Sequence, residues 1–419
     1  MKRSIWKLIL IGVIATSPLA ARADSPDDVQ LADDDTSASL QQDELTAGYD
    51  KGFFIGTQDN AFHLRINPEF QIRLLYNTRD NEPGRVGEDN HGFQLRRARL
   101  DFRGHAFDPK LTYRLRVNAD RSDGDVYLEL AYFGYQVAND WNVKIGQIKP
   151  LFVREENVKA FRQLAVERSY AADYFTIDFT QGAELTYDGD QGWRASLAVH
   201  DGSYAANTEF NADRTDFAVA GRAEFRPAGD WKQFADFSSW SSDDFGLLLG
   251  VAGDFEAGEK RSGTSTPDLY KFTADISAEF GGANLFVAGY LRKFSDNNDP
   301  TLPSNLDDAT QLGLVAQGGV FVIPDTFELF GRYEWIDFDG VYYRNSGAGT
   351  QGGTGDLAGD DHIIVTIGGN WFFKKHNAKL TVDLVWALDP LPVSNTGGGL
   401  LSNSEDDQFA IRAQWQFAF

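Results

Sequence analysis

The sequence of 419 residues contains no cysteine, a single methionine and, beyond its first residues, no apolar run long enough to cross a membrane as a helix. The absence of cysteine excludes a disulfide framework and thiol chemistry. Basic residues are outnumbered, 39 against 62 acidic ones, and the net charge of −23 makes the chain poorly suited to binding nucleic acid. The six histidines show no metal-ligand spacing, and no serine–histidine–aspartate pattern is recognisable. The sequence therefore predicts no catalytic residue, no metal site and no cofactor.

The first residues have the pattern of an export signal. Three basic residues precede an apolar run at 8–15, and Ala21 and Ala23 are small residues at the positions that define a cleavage site. We therefore predict a secretory signal peptide over residues 1–23, removed before Asp24. The alternative is a transmembrane anchor, but the run is too short to span about 30 Å of hydrocarbon.

Residues 24–50 are polar and acidic and lack a repeating apolar face, which predicts a flexible periplasmic leader with order beginning near Gly52. From residue 51 to residue 419 the dominant pattern is alternation of apolar and polar residues. A period of two indicates β-strands rather than helices. Sixteen segments show it: 63–77, 93–107, 110–120, 125–137, 141–149, 181–188, 192–200, 214–226, 245–256, 269–280, 283–294, 309–322, 326–338, 361–373, 378–388 and 407–419.

The last of these segments is the most informative. It alternates strictly between apolar and polar residues and stops on the aromatic Phe419. This pattern resembles the terminal strand that outer-membrane barrels present to their insertion machinery. We therefore predict an all-β fold, a 16-stranded antiparallel transmembrane barrel, because bacterial outer-membrane barrels have an even number of strands.

The connections between the segments support the same fold. Short turns alternate with long loops, as in barrels with short periplasmic turns and longer outer loops. Two connections break the pattern: 121–124 is short for an outer loop, and 227–244 is long for a periplasmic turn and is either a packed excursion or a misplaced boundary. A β-sandwich or a soluble β-helix is the alternative, but its strands would be shorter and its outward faces polar rather than aromatic.

Basic residues are concentrated in one part of this acidic chain. Residues 60–170 contain 18 Lys and Arg against 15 Asp and Glu. Alternation places seven arginines on the polar side of the first three strands, where they would face the lumen: Arg65, Arg73, Arg97, Arg99, Arg103, Arg114 and Arg116. Guanidinium groups match phosphate and carboxylate oxygens, and a column of them lets an anion pass from site to site. The plainer interpretation is a general porin, in which arginines on one wall and acids on the opposing side only set a transverse field. In that case Asp101, Asp120 and Glu129 would pair with these arginines.

The loop at 150–180 is the longest in the first half of the chain. Its spacing is compatible with helix, and Arg154, Lys159 and Arg162 alternate with acidic residues. We expect it to fold into the lumen and narrow it; the alternative is a surface loop of mixed charge. The acidic outer loops at 296–300 and 356–361 would attract divalent cations that bridge lipopolysaccharide, although a solvated loop is the commoner explanation.

Several stretches together resemble the phosphate-selective porin O and P family. They are GFFIGTQDNAFHLRINPEFQIRL at 52–74, FQLRRARLDFRG at 93–104, VKIGQIKPLF at 143–152, TDFAVAGRAEFRP at 215–227 and GNWFFKKHNAKLTVD at 369–383. The resemblance implies a trimeric sixteen-stranded outer-membrane porin with an arginine ladder that leads to a constriction bearing lysines. Ladder positions would be Arg97, Arg99, Arg103, Arg114 and Arg116. Lysine positions would be Lys159 in the loop and Lys144 and Lys149 beside it.

We therefore expect a passive outer-membrane channel for small anions such as phosphate. Its partners would be outer-membrane lipid and lipopolysaccharide, small anions, two further copies of the chain and the barrel-insertion machinery, but no nucleic acid. Three other classes stay open: a general or cation-preferring porin, an outer-membrane enzyme and an adhesin.

Overall fold

The computed structural model describes residues 45–79, 89–120, 123–189, 191–210, 215–258, 260–261, 264–295, 309–340, 342–346, 349–353, 361–402 and 407–419. They belong to one compact unit, Asp43–Phe419. The predicted signal peptide, all but the end of the predicted leader and most of the acidic outer loops lie outside these residues. None of the described helices is long and apolar enough to cross a membrane.

Sixteen antiparallel strands form a closed barrel, as the alternation predicts. The first barrel strand, β3 (Phe62–Arg79), pairs with β4 (Asn90–Ala106) on one edge and with the last, β22 (Gln408–Ala418), on the other, so the sheet closes on itself. The barrel strands are β3 (Phe62–Arg79), β4 (Asn90–Ala106), β5 (Asp108–Ala119), β6 (Val126–Ala138), β7 (Trp141–Ile148), β8 (Thr180–Asp188), β9 (Trp193–His200), β10 (Thr215–Ala228), β11 (Gly246–Gly258), β14 (Asp268–Glu279), β15 (Ala283–Ser295), β16 (Thr310–Ile323), β17 (Phe327–Asp337), β20 (Asp361–Lys374), β21 (Ala378–Ala387) and β22 (Gln408–Ala418).

Each strand has an apolar outer face and a polar inner face. On β22, Ile411, Trp415 and Phe417 are exposed to the outside, whereas Arg412 and Gln414 are buried inside. A closed barrel satisfies every ladder hydrogen bond within the sheet, which is the condition for placing strands in lipid. The charged and amide side chains buried on the inner face therefore line a lumen.

The connections alternate as predicted between short turns and longer loops. Two small ribbons lie in the longer connections: β12 (Lys260–Arg261) with β13 (Thr264–Ser265), and β18 (Tyr342–Ser346) with β19 (Gly349–Gly353). The short connection between β5 and β6 is closed by a hydrogen bond from the Asp120 N–H to the Asp125 carbonyl at 2.7 Å.

The long connection between β10 and β11 is a packed excursion. Residues 229–245 turn into the short-turn end of the barrel, with a 3-10 turn at Gln233–Ala235. Phe237 packs against Phe286 at 5.0 Å between ring centroids, and the Ser238 hydroxyl donates to Glu328 at 3.0 Å. Trp240 lies 5.1 Å from the ring of Phe372. These contacts fill part of the lumen from this end.

A hairpin ahead of the barrel strands corrects one boundary of the predicted leader. Strand β1 (Leu45–Tyr49) pairs with β2 (Phe53–Thr57), so order begins before Gly52 and the predicted boundary at residue 50 is too late. The prediction failed because β1 is short and exposed along its whole length, and a strand of five residues shows little alternation. Strand β2 in turn pairs with β3 at Phe53–Ile66.

Candidate pore and its cationic wall

The connection between β7 and β8, residues 149–179, folds into the lumen as predicted. It contains α1 (Arg154–Asn157), a 3-10 turn at Ala160–Arg162 and α2 (Tyr170–Phe175). The wall holds it through donors to its carbonyls: Gln416 to Phe161 at 2.7 Å, Lys379 to Gln163 at 2.7 Å, Asn370 to Leu164 at 2.8 Å and Arg332 to Glu167 at 3.0 Å. These donors come from strands β17 to β22, so the loop packs against that side of the barrel.

Local bonds give the loop its shape. The Ser169 hydroxyl caps α2 by accepting from the Ala172 N–H at 2.9 Å, and the same hydroxyl donates to Glu155 at 2.6 Å. Serine at this position satisfies a helix N–H that would otherwise have no partner. The buried carboxylate of Glu155 thereby joins α1 to α2 within the lumen.

The connection between β21 and β22 also folds inward. The carbonyl of Gly397 accepts from Arg73, that of Gly398 from Arg412 at 3.0 Å and that of Gly399 from Asn77 at 2.9 Å. Leu391 and Leu400 of this connection are buried in the core. The two loops fill the lumen on the side of β17 to β22 and leave a passage along β4 to β7.

This passage contains a cavity of about 460 Å³ with a strongly basic lining. Nine cationic side chains line it: Arg96, Arg97, Arg99, Arg114, Arg116, Arg168, Lys144, Lys149 and Lys159. Five acidic side chains do so: Glu129, Glu156, Glu167, Asp173 and Asp178. The excess of positive charge attracts anions into a space with low-dielectric walls.

Two β-bulges supply charges to this lining. Gln71 pairs with Arg97 while the next residue, Ile72, pairs with Leu95, so Arg96 is the extra residue of a bulge in β4. A bulge re-aims a side chain, and here it places two consecutive arginines on the cavity. A second bulge, between Arg116 and Val117 of β5, leaves Glu129 of β6 as the extra residue.

Glu167, from the loop, is the acceptor for three arginines of the wall. Its carboxylate lies 2.9 Å from Arg73, 2.8 Å from Arg96 and 2.5 Å from Arg97. Burial opposes ionisation of Glu167, but Arg96, Arg97 and Arg73 outweigh it and hold the pKa of this carboxyl well below its usual range. The carboxylate therefore stays charged and fixes the loop to the arginine wall.

The other wall arginines also share acids. Glu129 pairs with both Arg99 and Arg116, the latter at 2.5 Å. Arg114 forms a two-pronged pair with Asp101 at 2.8 and 2.7 Å. Glu129 pairs with two arginines and Glu167 pairs with three. Because these arginines outnumber the two carboxylates, the wall keeps a net positive charge after the ion pairs have formed.

The structure brings four of the seven predicted ladder arginines together on the cavity: Arg97, Arg99, Arg114 and Arg116. The other three face the lumen side of their strands but do not line this cavity. Arg73 is completely buried beneath the two loops. Arg65 pairs with Asp50 at 3.1 Å near the short-turn end, and Arg103 lies on β4 close to the same end.

Three of the five predicted constriction residues line the cavity: Lys144, Lys149 and Lys159. Lys144 pairs with Glu184 at 2.5 Å, and Lys149 with Glu156 and Asp178. Lys159 has no acidic side chain within ion-pair distance among the described residues. Burial, followed by the charges of Arg103 and Arg114, lowers the pKa of Lys159 to about 8.

The remaining two predicted constriction residues lie elsewhere. Arg154 is buried and donates to the Phe234 carbonyl of the 229–245 connection. Arg162 lines a second cavity of about 780 Å³ at the short-turn end, together with Lys51, Lys375 and Trp240. The 3-10 turn Ala160–Arg162 contributes Ala160 to the first cavity and Arg162 to the second, so it separates the two.

Sequence reasoning missed Arg96, and a signal for it was present. The outward apolar residues are odd-numbered at Phe93 and Leu95 but even-numbered at Leu100 and Phe102. A change of parity within one strand requires an extra residue between the two halves, which is a bulge. The sequence therefore indicates a bulge between Leu95 and Leu100.

Known proteins share this fold and part of the sequence pattern. The family model described as phosphate-selective porin O and P matches residues 68–419. No curated protein shows significant similarity to the sequence.

Solved structures give the fold comparison. An anion-selective porin from Comamonas acidovorans is similar with a TM-score of 0.56 at 14% identity, covering 85% of this chain and 99% of that one. The outer-membrane channel DcaP of Acinetobacter baumannii has a TM-score of 0.55 at 10% identity, covering 89% and 100%. The trimer form of OmpT from Vibrio cholerae has a TM-score of 0.52 at 13% identity, covering 85% and 100%.

Proposed function

Because this chain belongs to the phosphate-selective porin O and P family, we propose that its barrel passes phosphate and similar small anions by diffusion. It is an outer-membrane anion-selective channel. The observation that carries the proposal is the cavity between the loop and strands β4 to β7, where nine cationic side chains face five acidic ones. Shared ion pairs hold these cations in place along the wall. A passing anion can therefore leave one group of hydrogen-bond donors and bind the next, and no single site binds it tightly enough to stop its passage.

We infer a route for the anion through the two cavities. It enters beside Arg96 and Arg99, passes Arg116 and Arg114, and crosses the turn at Ala160–Arg162 near Lys159. It then reaches the second cavity beside Arg162. Guanidinium forks bind phosphate through two parallel hydrogen bonds, whereas the ammonium of Lys159 acts as a point charge.

The test is the reversal potential of the purified protein in planar bilayers under a potassium chloride gradient. We expect the sign of an anion-preferring pore, and we expect added phosphate to reduce the chloride current. A cation-preferring reversal potential would contradict the proposal.

A second candidate function is general diffusion, and one observation favours it. Most of the wall arginines are bonded to carboxylates, including Glu129 and Glu167, and paired arginines facing acids are enough to set a transverse field. Weak anion preference without any effect of phosphate on the chloride current would select general diffusion.

We infer further that the channel is a homotrimer exported with a cleaved signal peptide and has no catalytic activity. The trimer form of OmpT from Vibrio cholerae supports the assembly by its similar fold. Sizing in detergent tests the trimer, and N-terminal sequencing of the membrane-extracted protein, with Asp24 as the expected first residue, tests the cleavage. Contacts of the outer loops with lipopolysaccharide and of Phe419 with the insertion machinery stay predictions.

A further inference from the structure

The first cavity contains aromatic side chains that an inorganic anion does not need. Tyr127 and Tyr132 of β6 and Phe179 at the end of the loop line it together with the cations. Tyr127 is 40% exposed, and Tyr132 and Phe179 are half-buried. Their rings are therefore available to a solute inside the lumen.

Two of these three rings, those of Phe179 and Tyr132, lie beside a cation. The guanidinium of Arg116 lies 5.6 Å and the ammonium of Lys149 lies 4.8 Å from the centroid of the Phe179 ring. The ammonium of Lys144 lies 5.7 Å from the ring of Tyr132. The wall thus presents a flat apolar surface and a carboxylate-binding group within a few ångströms of each other.

The volume and polar groups of the cavity suit a small organic molecule. At about 460 Å³ it falls within the range of about 300–1,000 Å³ typical of metabolite pockets, which combine aromatic walls with a few placed polar groups. The amides of Asn118, Asn157 and Asn395 add neutral donors and acceptors to the lining. Asn118 donates to the Tyr127 hydroxyl at 2.6 Å, which holds that phenol in place.

We propose that this cavity recognises aromatic carboxylates, planar rings that carry a negatively charged carboxylate, and that Phe179 and Tyr132 select the ring. This inference rests on the proposed anion channel and names a class of solute for it. The carboxylate binds Arg116 or Lys149, and the ring lies against Phe179, because aromatic pairs favour offset or edge-to-face contacts. A bare phosphate would bind the cations alone and would make no use of the Phe179 and Tyr132 rings beside them.

The test compares block of the chloride current by benzoate and by cyclohexanecarboxylate in planar bilayers. The two probes have the same charge and nearly the same size, but only benzoate has an aromatic ring. We expect benzoate to block at a lower concentration than cyclohexanecarboxylate. We expect Phe179→Leu to raise the half-blocking concentration of benzoate about two- to tenfold and to leave that of cyclohexanecarboxylate unchanged.

Two variants control for indirect effects. Phe54→Leu changes an aromatic residue that stacks on His63 outside the cavity, at 5.7 Å between centroids, and should leave benzoate block unchanged. Tyr132→Phe keeps the ring and removes the hydroxyl, so preserved benzoate block would assign the effect to the ring.

The outcomes separate this inference from the channel itself. Equal block by benzoate and cyclohexanecarboxylate, or stronger block by glucose 6-phosphate than by benzoate, would overturn the aromatic-carboxylate assignment while phosphate block and anion preference still support the channel. A cation-preferring reversal potential with no block by any of these anions would overturn the proposed function.

Discussion

Glu167 accepts from Arg73, Arg96 and Arg97, and the last two of these line the cavity. A carboxylate that serves three guanidinium groups both anchors the loop and reduces the positive potential that an anion meets. The strength of the anion preference therefore depends on acids as much as on arginines. Glu129 has the same double role toward Arg99 and Arg116.

Glu167→Gln should increase the preference for anions and destabilise the folded barrel. The amide keeps the size of the side chain but leaves three guanidinium groups without their counter-charge. Removing one partner of a buried ion pair lowers the free energy of unfolding by about 3–5 kcal/mol. Because Glu167 lies close to lumen water, we expect the loss here to be roughly 1–3 kcal/mol. The reversal potential measures the first effect, and the temperature at which the heat-modifiable folded form disappears measures the second.

Glu256→Gln is the matched control for Glu167→Gln. Glu256 is also a buried carboxylate, pairs with Lys271 at 2.5 Å and does not line the cavity. The Glu256→Gln variant should lower the stability of the folded barrel and leave its anion selectivity unchanged. An unaltered reversal potential in Glu167→Gln would show that this carboxylate does not moderate the pore.

Lys159 should make the anion preference depend on pH. Its pKa is lowered to about 8 by burial and by the neighbouring charges of Arg103 and Arg114. The ammonium is therefore charged below that pH and loses its proton above it, so the anion preference should fall as pH rises from about 7 to about 9. Reversal potentials measured across this range test the prediction.

Lys159→Arg provides the comparison, since guanidinium stays charged throughout this range. The variant should keep its anion preference at high pH. If it loses preference in parallel with the parent protein, another group carries the titration.

At the scale of elements, the two bulges in neighbouring strands deliver opposite charges to one cavity. Arg96 comes from the bulge in β4 and Glu129 from the bulge in β6. Each bulge adds a lumen-facing charge without turning the rest of its strand around. In β4, for example, Leu95 before the bulge and Leu100 after it are both exposed on the outer face.

Deleting Arg96 should preserve the barrel and weaken the anion preference. Without it, Leu95 and Arg97 become neighbours and continue a regular strand with Leu95 outward and Arg97 inward. Deleting Leu100 from the same strand should instead prevent assembly, because a shift of one residue moves every side chain beyond it to the opposite face. Heat-modifiable mobility reports assembly, and failure of both deletions to assemble would show that the bulge is required for the fold.

The elements show how far the sequence determines this molecule. All sixteen barrel strands follow from alternation, because it is a local pattern. The inward course of the 150–180 loop is expected, but its sequence leaves a surface loop as the alternative. The burial of Arg73 does not follow from the sequence, because its cover includes Gly397, from the other end of the chain. The place of Arg154 likewise depends on the carbonyl of Phe234 in a distant connection. Such contacts between distant segments leave no local pattern.

At the scale of the whole molecule, several connections occupy the lumen in the part of the chain that the structure describes, and a cavity remains beside β4 to β7. Residues 149–179 and the connection between β21 and β22 enter from the long-loop end, and as a third connection residues 229–245 enter from the short-turn end. The buried Phe237 and Trp240 show that this third connection is part of the core. The width of the pore is therefore set by packed loops as well as by the number of strands.

Replacing residues 230–245 by the two-residue turn Asn-Gly should increase single-channel conductance and keep the anion preference. A two-residue Asn-Gly turn suits two antiparallel strands. The shortened protein lacks Phe237 and Trp240, so lumen space opens away from the cationic wall. Ser241→Ala, which removes only a hydroxyl bonded to Asp325 at 2.7 Å, should conduct like the parent protein. Unchanged conductance in the shortened protein would place the narrowest point entirely at the 150–180 loop.

The hairpin of β1 and β2 has a practical consequence for handling the protein. The Asn67 amide donates both to the carbonyl of Phe419 and to that of Lys51 at 2.7 Å, so Phe419 is held between β3 and the hairpin. An affinity tag fused after Phe419 would crowd these contacts and should impair refolding. A tag placed ahead of Leu45 is attached to an exposed strand and is the better choice for purification.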